Sequence, residues 1–131
     1  MQVGQASKAA MDKAVILVVD DDARVRHMLC WALEDEGWMV KAAADGPQAL
    51  AWLGSNRPDL VLLDVGPPLV DGPVVAREVR SCYGNDIPIV VITADAGGSA
   101  RARNLGAIAT FQKPFDVDLL MAAVQHALKS T

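Results

Sequence analysis

The sequence is poor in the features that mark several large classes of protein. It has only two cysteines, Cys30 and Cys82, without the spacing of metal ligands, and we interpret them as buried thiols of a reduced, cytoplasmic chain. No apolar run approaches the roughly 20 residues that a membrane helix needs. The net charge is −4, and no cluster of Lys and Arg marks a nucleic-acid surface. Disulfide scaffolds, membrane proteins and nucleic-acid binders are therefore not expected.

The apolar content of the chain is sufficient for one domain with one core. The sequence has 131 residues, of which 52% are hydrophobic and 21% charged, as in globular proteins. Residues 1–13 contain no hydrophobic segment of the signal-peptide type, and their polar, alanine-rich composition predicts a flexible lead-in. We therefore expect a single domain over residues 14–131.

Short apolar runs alternate with stretches of helical periodicity along the whole domain. In the helical stretches apolar residues recur three and four positions apart, which is typical of a helix with one inward face. Five such alternations predict an α/β fold, with a five-stranded parallel sheet and helices on both faces. The expected strands are Val15–Val19, Trp38–Ala43, Leu60–Leu63, Ile89–Ile92 and Ala107–Phe111, and the expected first or capping residues of the helices are Asp22, Asp45, Pro73, Ser99 and Asp116.

Polar side chains follow four of the predicted strands, at the point where each strand ends. In open α/β sheets ligands bind at the carboxyl ends of the strands, so these side chains are expected to meet in one crevice. Three of them are carboxylates, which repel one another unless a divalent cation is present. The residues are Asp20 and Asp21 after the first strand, Asp64 after the third, Thr93 after the fourth and Lys113 after the fifth.

This set of groups indicates phosphoryl chemistry at Asp64. Oxygen ligands suit Mg²⁺ or Mn²⁺, and we expect Asp20, Asp21, Asp64 and the backbone carbonyl of Gly66 to bind the ion. An aspartate beside such an ion can attack a phosphoryl group and form an aspartyl phosphate. The Lys113 ammonium and the hydroxyl of the threonine that ends the fourth strand could then bind the phosphoryl oxygens.

In this order and spacing the motifs resemble those of response-regulator receiver domains of two-component signalling. The resemblance covers residues 14–130 and implies the flavodoxin-like strand order 2-1-3-4-5. The motifs that carry the resemblance are Ile16–Asp22, Asp64 with Pro68, Asp71-Gly72, Val91–Ala94, Gly106-Ala107 and Lys113–Phe115.

The resemblance also implies a function and partners. Asp64 would accept a phosphoryl group, in a Mg²⁺-dependent reaction, from a phosphohistidine of a histidine kinase or a histidine phosphotransfer protein, and Thr93 and Lys113 would sense it. The change would reach an output partner, or a weak homodimer, through the face made by the fourth helix, the fifth strand and the fifth helix. The chain would be a cytoplasmic signalling module that binds neither nucleic acid nor membrane directly, and would catalyse only its own phosphorylation and dephosphorylation.

Four positions bear on how closely the sequence follows the family pattern. Thr110 occupies the place of the aromatic switch residue, three positions before Lys113. Phe111 comes one position later and, because side chains alternate along a strand, should face the opposite way. Gly66 and Asp95 fall at positions that resemble those tuning phosphate lifetime in the family.

Two alternative functions are also compatible with the sequence. A haloacid-dehalogenase-like phosphatase also uses an aspartate nucleophile and Mg²⁺, and the triplet Asp20–Asp22 contains an Asp-x-Asp pattern. That class, however, needs its nucleophile on the first strand and a second acidic pair after the lysine, which this sequence lacks. The other alternative is a receiver-like scaffold that is not phosphorylated, which the departures from the family pattern at Thr110 and Pro67 allow.

The remaining residues with chemical potential are expected to be structural. His27 and His126 lie on predicted helices away from the strand ends, so neither is expected to donate a phosphoryl group. We interpret Trp31, Trp38 and Trp52 as packing aromatics.

Overall fold

A computed structural model describes residues 13–65, 72–94 and 98–129 of the chain. The predicted lead-in lies outside this range except for Lys13, so its expected flexibility stays a prediction. Among these residues, five strands alternate with five helices, as the sequence periodicity predicts. In chain order the elements are β1 (Val15–Val19), α1 (Ala23–Asp35), β2 (Met39–Ala43), α2 (Gly46–Leu53), β3 (Leu60–Asp64), α3 (Gly72–Tyr83), β4 (Ile89–Thr93), α4 (Gly98–Asn104), β5 (Ala109–Gln112) and α5 (Val117–Lys129).

The five strands form one parallel sheet in the order β2-β1-β3-β4-β5, which confirms the flavodoxin-like order. The chain therefore reverses its direction of winding between β1 and β3. In such sheets this switch point opens a crevice at the carboxyl ends of the two strands. Both β3 and β4 are buried along their whole length, as expected of parallel strands covered on both faces.

Each face of the sheet has its own apolar cluster. On one face, Leu29 of α1 and Leu120 of α5 pack with Val18 of β1. On the other face, residues of α2, α3 and α4 pack with Val19 and Leu63. Successive strand residues thus serve opposite clusters, and the polar residues Asp20, Asp64 and Thr93 stand where β1, β3 and β4 end.

Aspartate side chains cap three of the helices that leave the sheet. Oδ1 of Asp22 accepts a hydrogen bond from the Arg24 amide at 2.9 Å, and Asp45 and Asp116 cap α2 and α5 in the same way. A side-chain oxygen at this position satisfies backbone donors that the first helical turn leaves free. The predicted caps at these three positions are confirmed.

Several expectations about individual residues are wrong. Helix α4 begins at Gly98, so Ser99 lies inside it, and β5 begins two residues later than predicted. Cys30 is half-buried and Cys82 is exposed, so neither is a fully buried thiol. Trp31 is 71% exposed, since it lies off the inward stripe of α1, and it is not a packing residue.

Within the described part of the chain, no helix combines the length and the apolar character needed to cross a membrane.

Candidate functional site

Asp64 is the last residue of the buried central strand β3, and only 4% of it is exposed. Its position pairs with Ile92 of β4, and the amide of the next residue, Val65, donates to the Ile92 carbonyl oxygen at 3.2 Å. The backbone on both sides of the carboxylate is therefore fixed to the neighbouring strand. A buried carboxylate of this kind needs cations or hydrogen-bond donors around it.

Asp20, which directly follows β1, has hydrogen bonds at its amide, its carbonyl and Oδ1 and an ion pair at Oδ2. Its amide donates to the carbonyl of Ala43 at 3.2 Å, and Arg26 of α1 donates to its carbonyl at 2.9 Å. The amide of Asp22 donates to Oδ1 at 2.9 Å. Its Oδ2 makes an ion pair of 3.0 Å with Nζ of Lys113. Only 1% of the residue is exposed, so these contacts replace the water that would otherwise solvate the carboxylate.

The carboxylates of Asp20, Asp21 and Asp64 converge, with one oxygen from each lying within 4.8 Å of the others. Asp20 and Asp64 are buried, whereas Asp21 faces solvent. Oδ2 of Asp20 is buried and has no hydrogen-bond donor among the described residues, so apart from the ion pair its lone pairs are available to a cation. An all-oxygen, acidic donor set of this size fits a small divalent cation. The structure thus supports a metal-binding acidic cluster at the strand ends.

Lys113, just past β5, supplies a cation to this cluster. Its Nζ lies 3.0 Å from Oδ2 of Asp20 and 3.2 Å from Oδ2 of Asp64, and only 18% of its side chain is exposed. Burial alone would lower the pKa of the ammonium, but the contact with Asp20 and the charges of Asp20 and Asp64 outweigh burial and raise the pKa above its usual 10.5. Lys113 is therefore charged at neutral pH.

Thr93 ends β4 and is buried, with 1% of the residue exposed. Its carbonyl oxygen accepts a hydrogen bond of 2.7 Å from the Lys113 amide. The residues predicted to bind phosphoryl oxygens are therefore joined through the backbone, at the edge where β4 and β5 end.

Thr110 and Phe111 face opposite sides of β5. Thr110 is exposed and pairs with Val91, which belongs to the cluster beneath α3 and α4. Phe111 pairs with Ile92 and packs, partly buried, against the cluster beneath α1 and α5. The expectation that Phe111 faces away from the switch position is confirmed. Among the described residues of β5, no aromatic side chain lies on the same side of the strand as Thr110.

Some predicted site residues cannot be placed. Gly66 and Asp95 lie outside the described residues, so the proposed carbonyl ligand and the lifetime-tuning positions stay predictions. His27 on α1 and His126 on α5 are both exposed, in agreement with the sequence.

Two residues that support the site were missed from sequence. Arg26 holds the Asp20 carbonyl, and an arginine one turn into the helix that follows an acidic strand end was the available signal. Gly72 was named from sequence only as part of a family motif, and its close approach to the backbone of Asp64 was not expected.

Comparison with known proteins agrees with this geometry. Residues 16–125 match the family model described as response regulator receiver domain. The chain is 44% identical over 118 residues to the response regulator MprA of Mycobacterium sp. (strain KMS), covering 88% of this chain and 51% of that protein. An MprA of Mycobacterium avium (strain 104) is 43% identical over the same length, again with 51% of its length covered. The chain thus spans about half the length of the curated relatives it matches.

Solved structures show the same fold. A response regulator receiver protein from Burkholderia phymatum superposes with a TM-score of 0.80 at 35% identity, covering 89% of this chain and 96% of that one. The response regulator TrrA from Thermotoga maritima, solved in complex with Mg(2+)-BeF, superposes with a TM-score of 0.76 at 32% identity, covering 87% and 98% of the two chains. These matches give no support to the haloacid-dehalogenase-like alternative.

Proposed function

The chain belongs to the response regulator receiver domain family of phosphoacceptor signalling modules, and we propose that Asp64 is its phosphoacceptor. The observation that carries this proposal is that the buried carboxylate of Asp64 belongs to the acidic cluster and also lies 3.2 Å from the Lys113 ammonium. The Asp22 amide donates to one carboxylate oxygen of Asp20, which fixes that side chain beside the cluster. The place of Asp64 at the end of the third strand of a receiver-family sheet supports its role as the nucleophile.

The proposed reaction transfers a phosphoryl group from a phosphohistidine of a histidine kinase or phosphotransfer protein. A carboxylate oxygen of Asp64 attacks the phosphorus and forms a P–O bond, while the P–N bond to the donor imidazole breaks. The departing imidazole takes up a proton from solvent. The product adds negative charge to an already acidic site, so positioned positive charge is the main requirement for catalysis.

Residues of this chain supply part of that charge. Lys113 remains protonated and is close enough to Asp64 to contact a phosphoryl oxygen on it. The Thr93 hydroxyl can donate to a second oxygen. Asp20, Asp21 and Asp64 would hold a Mg²⁺ ion, which supplies charge neutralisation for the carboxylates and the phosphoryl oxygens when it is bound. The complex of the Thermotoga maritima relative with Mg(2+)-BeF supports the choice of this ion.

The proposed consequence of phosphorylation is a change at the face made by α4, β5 and α5. The hydrogen bond from the Lys113 amide to Thr93 connects the two sensing residues with the end of β5. We place the change in partner binding here, with a histidine kinase upstream, an output partner downstream and a weak homodimer as a further use of the same face. In this proposal the chain catalyses only its own phosphorylation and dephosphorylation and does not turn over a separate substrate.

We also place this chemistry in the cytoplasm. Both thiols, Cys30 and Cys82, are free, as is usual in a reducing compartment.

The test is phosphorylation by a small phosphodonor. The protein is incubated with acetyl phosphate and Mg²⁺, and its intact mass is measured over time. The wild type should gain one phosphoryl group, Asp64→Asn should gain none, and Asp59→Asn should behave like the wild type. Asp59 is a matched control because it precedes the same strand at the opposite end, where its carboxylate accepts from the Val15 amide, a contact that asparagine can keep. A wild type that takes no phosphoryl group and binds Mg²⁺ weakly would instead support the scaffold alternative.

A further inference from the structure

Gly72, the first residue of α3, lies directly against the end of the phosphoacceptor strand. A Cβ atom at this position would lie 3.1 Å from Cγ1 of Val65, 3.2 Å from the carbonyl oxygen of Asp64 and 3.4 Å from Cα of Val65. The chain leaves β3 at Asp64 and, after residues 66–71, returns to touch the same two residues. The first residue of the helix thus lies so close to the strand end that a side chain here would be in tight contact with it.

The need for glycine at position 72 is steric. Three other glycines, Gly37, Gly84 and Gly106, have the positive φ that disfavours side chains, but Gly72 does not. Its backbone could therefore accept alanine, and helix propensity alone favours alanine over glycine. What disfavours a methyl group is the narrow space between α3 and β3.

The neighbours of Gly72 have little freedom to move aside. Val65 is 5% exposed, so its side chain has no open space to enter. Its amide is bonded to the Ile92 carbonyl, and the Asp64 position is paired with the same residue of β4. A carbonyl oxygen of the backbone cannot rotate away as a side chain can. A methyl group at position 72 must therefore displace either the start of α3 or the backbone that carries the Asp64 carboxylate.

We propose that Gly72 is a positioning residue for Asp64: its missing side chain lets α3 hold the strand end that aims the carboxylate at Lys113 and at the acidic cluster. This inference rests on the proposed function of Asp64. Displacement of a reacting group by about 1 Å can slow a reaction by about a hundredfold. We therefore expect a side chain at position 72 to reduce metal binding and phosphorylation measurably.

The test compares Gly72→Ala with Gly54→Ala. Gly54 directly follows α2, has ordinary helical backbone angles and is not part of the acidic cluster. A Cβ there would meet the Ala51 carbonyl oxygen at 3.3 Å, a similarly tight backbone contact. For each folded variant, Mn²⁺ affinity is measured by electron paramagnetic resonance, and the initial rate of phosphorylation by acetyl phosphate is measured by intact mass. Gly72→Ala should lower the metal affinity about tenfold and the rate by about tenfold to a hundredfold. Gly54→Ala should change neither.

A second background shows whether the effect passes through the contact. In Val65→Ala the nearest clashing atom is gone but the Asp64 carbonyl remains, so Gly72→Ala should cause a smaller loss in that background than in the wild type. Equal losses in both backgrounds, or wild-type metal affinity and rate in Gly72→Ala, would overturn the proposal. If Gly72→Ala alone does not fold, the double variant Val65→Ala with Gly72→Ala is compared with Val65→Ala. Equal metal affinities and phosphorylation rates for these two proteins would overturn the proposal. Failure of the proposed function is distinct, because the wild type would then take no phosphoryl group while Mn²⁺ affinity still reports on Gly72.

Discussion

Nζ of Lys113 lies 3.0 Å from Oδ2 of Asp20, closer than its 3.2 Å approach to Asp64. One ammonium group thus joins the ends of β1 and β3 to the segment that follows β5. In the absence of a metal ion this cation balances part of the charge of three neighbouring carboxylates. The site is therefore built with an excess of negative charge, which a divalent cation can compensate.

The first prediction concerns the pH dependence of stability. The folded-state pKa of Lys113 is raised above its usual 10.5, so its contribution is fully present below that pH and is lost as pH rises through the folded-state pKa. As pH increases above 10.5, the free energy of unfolding of the wild type should fall more steeply than that of Lys113→Met. Urea denaturation at a series of pH values measures the difference, and parallel curves for the two proteins would contradict it.

The second prediction concerns repulsion in the acidic cluster. Asp21→Asn removes one of three converging charges, and should raise the free energy of unfolding by up to about 1 kcal/mol in the absence of divalent cations. With saturating Mg²⁺ the gain should vanish or reverse, because a ligand is lost. Asp22→Asn is the control, since asparagine caps a helix as well as aspartate and the residue lies outside the cluster. An equal gain in both variants would indicate a general charge effect.

The third prediction concerns Arg80 on α3. Its guanidinium donates to the carbonyl oxygens of Gly84, Ile87 and Gly106 at 3.2, 3.1 and 2.8 Å, which joins the end of α3 to the turn between α4 and β5. Arg80→Ala should lower the free energy of unfolding by about 2–3 kcal/mol, because it removes several charge-assisted hydrogen bonds. Arg77→Ala, at an exposed position of the same helix, should stay within about 0.5 kcal/mol of the wild type. Similar urea midpoints for the two variants would refute this role.

The fourth prediction concerns the two faces of β5. Phe111→Ala should lower the free energy of unfolding by about 2 kcal/mol, because the ring packs against the cluster beneath α1 and α5 while remaining partly exposed. Thr110→Ala, next to it on the exposed face, should change stability by less than about 0.5 kcal/mol. The reverse order of the two effects in chemical denaturation would mean that the strand register is wrong.

The sequence predicts the fold well because the fold depends on periodicity. Buried runs such as Leu60–Leu63 and the helical spacing between them determine an alternating α/β sheet, and parallel sheets bring strand ends to one edge. The grouping of Asp20, Asp21 and Asp64 at that edge could be expected for the same reason.

Contacts between distant elements could not be predicted in this way. The approach of Gly72 to Asp64 depends on distances of a few tenths of an ångström, which no local pattern encodes. The inward residues of α1 recur three and four positions apart, and this pattern already places Trp31 off the inward stripe. We nevertheless expected Trp31 to be buried because it is aromatic. Exposure of Cys82 was missed for the same reason, since residue type was weighed above helix face.

The most direct test of the central claim is to identify the residue that carries the phosphoryl group. After phosphorylation by acetyl phosphate with Mg²⁺, borohydride reduces an aspartyl phosphate to homoserine with loss of phosphate, and peptide mass spectrometry locates the change. We expect conversion to homoserine at Asp64 alone. Conversion at Asp20 or Asp21 instead, or a phosphoryl group found on His27 or His126, would contradict it.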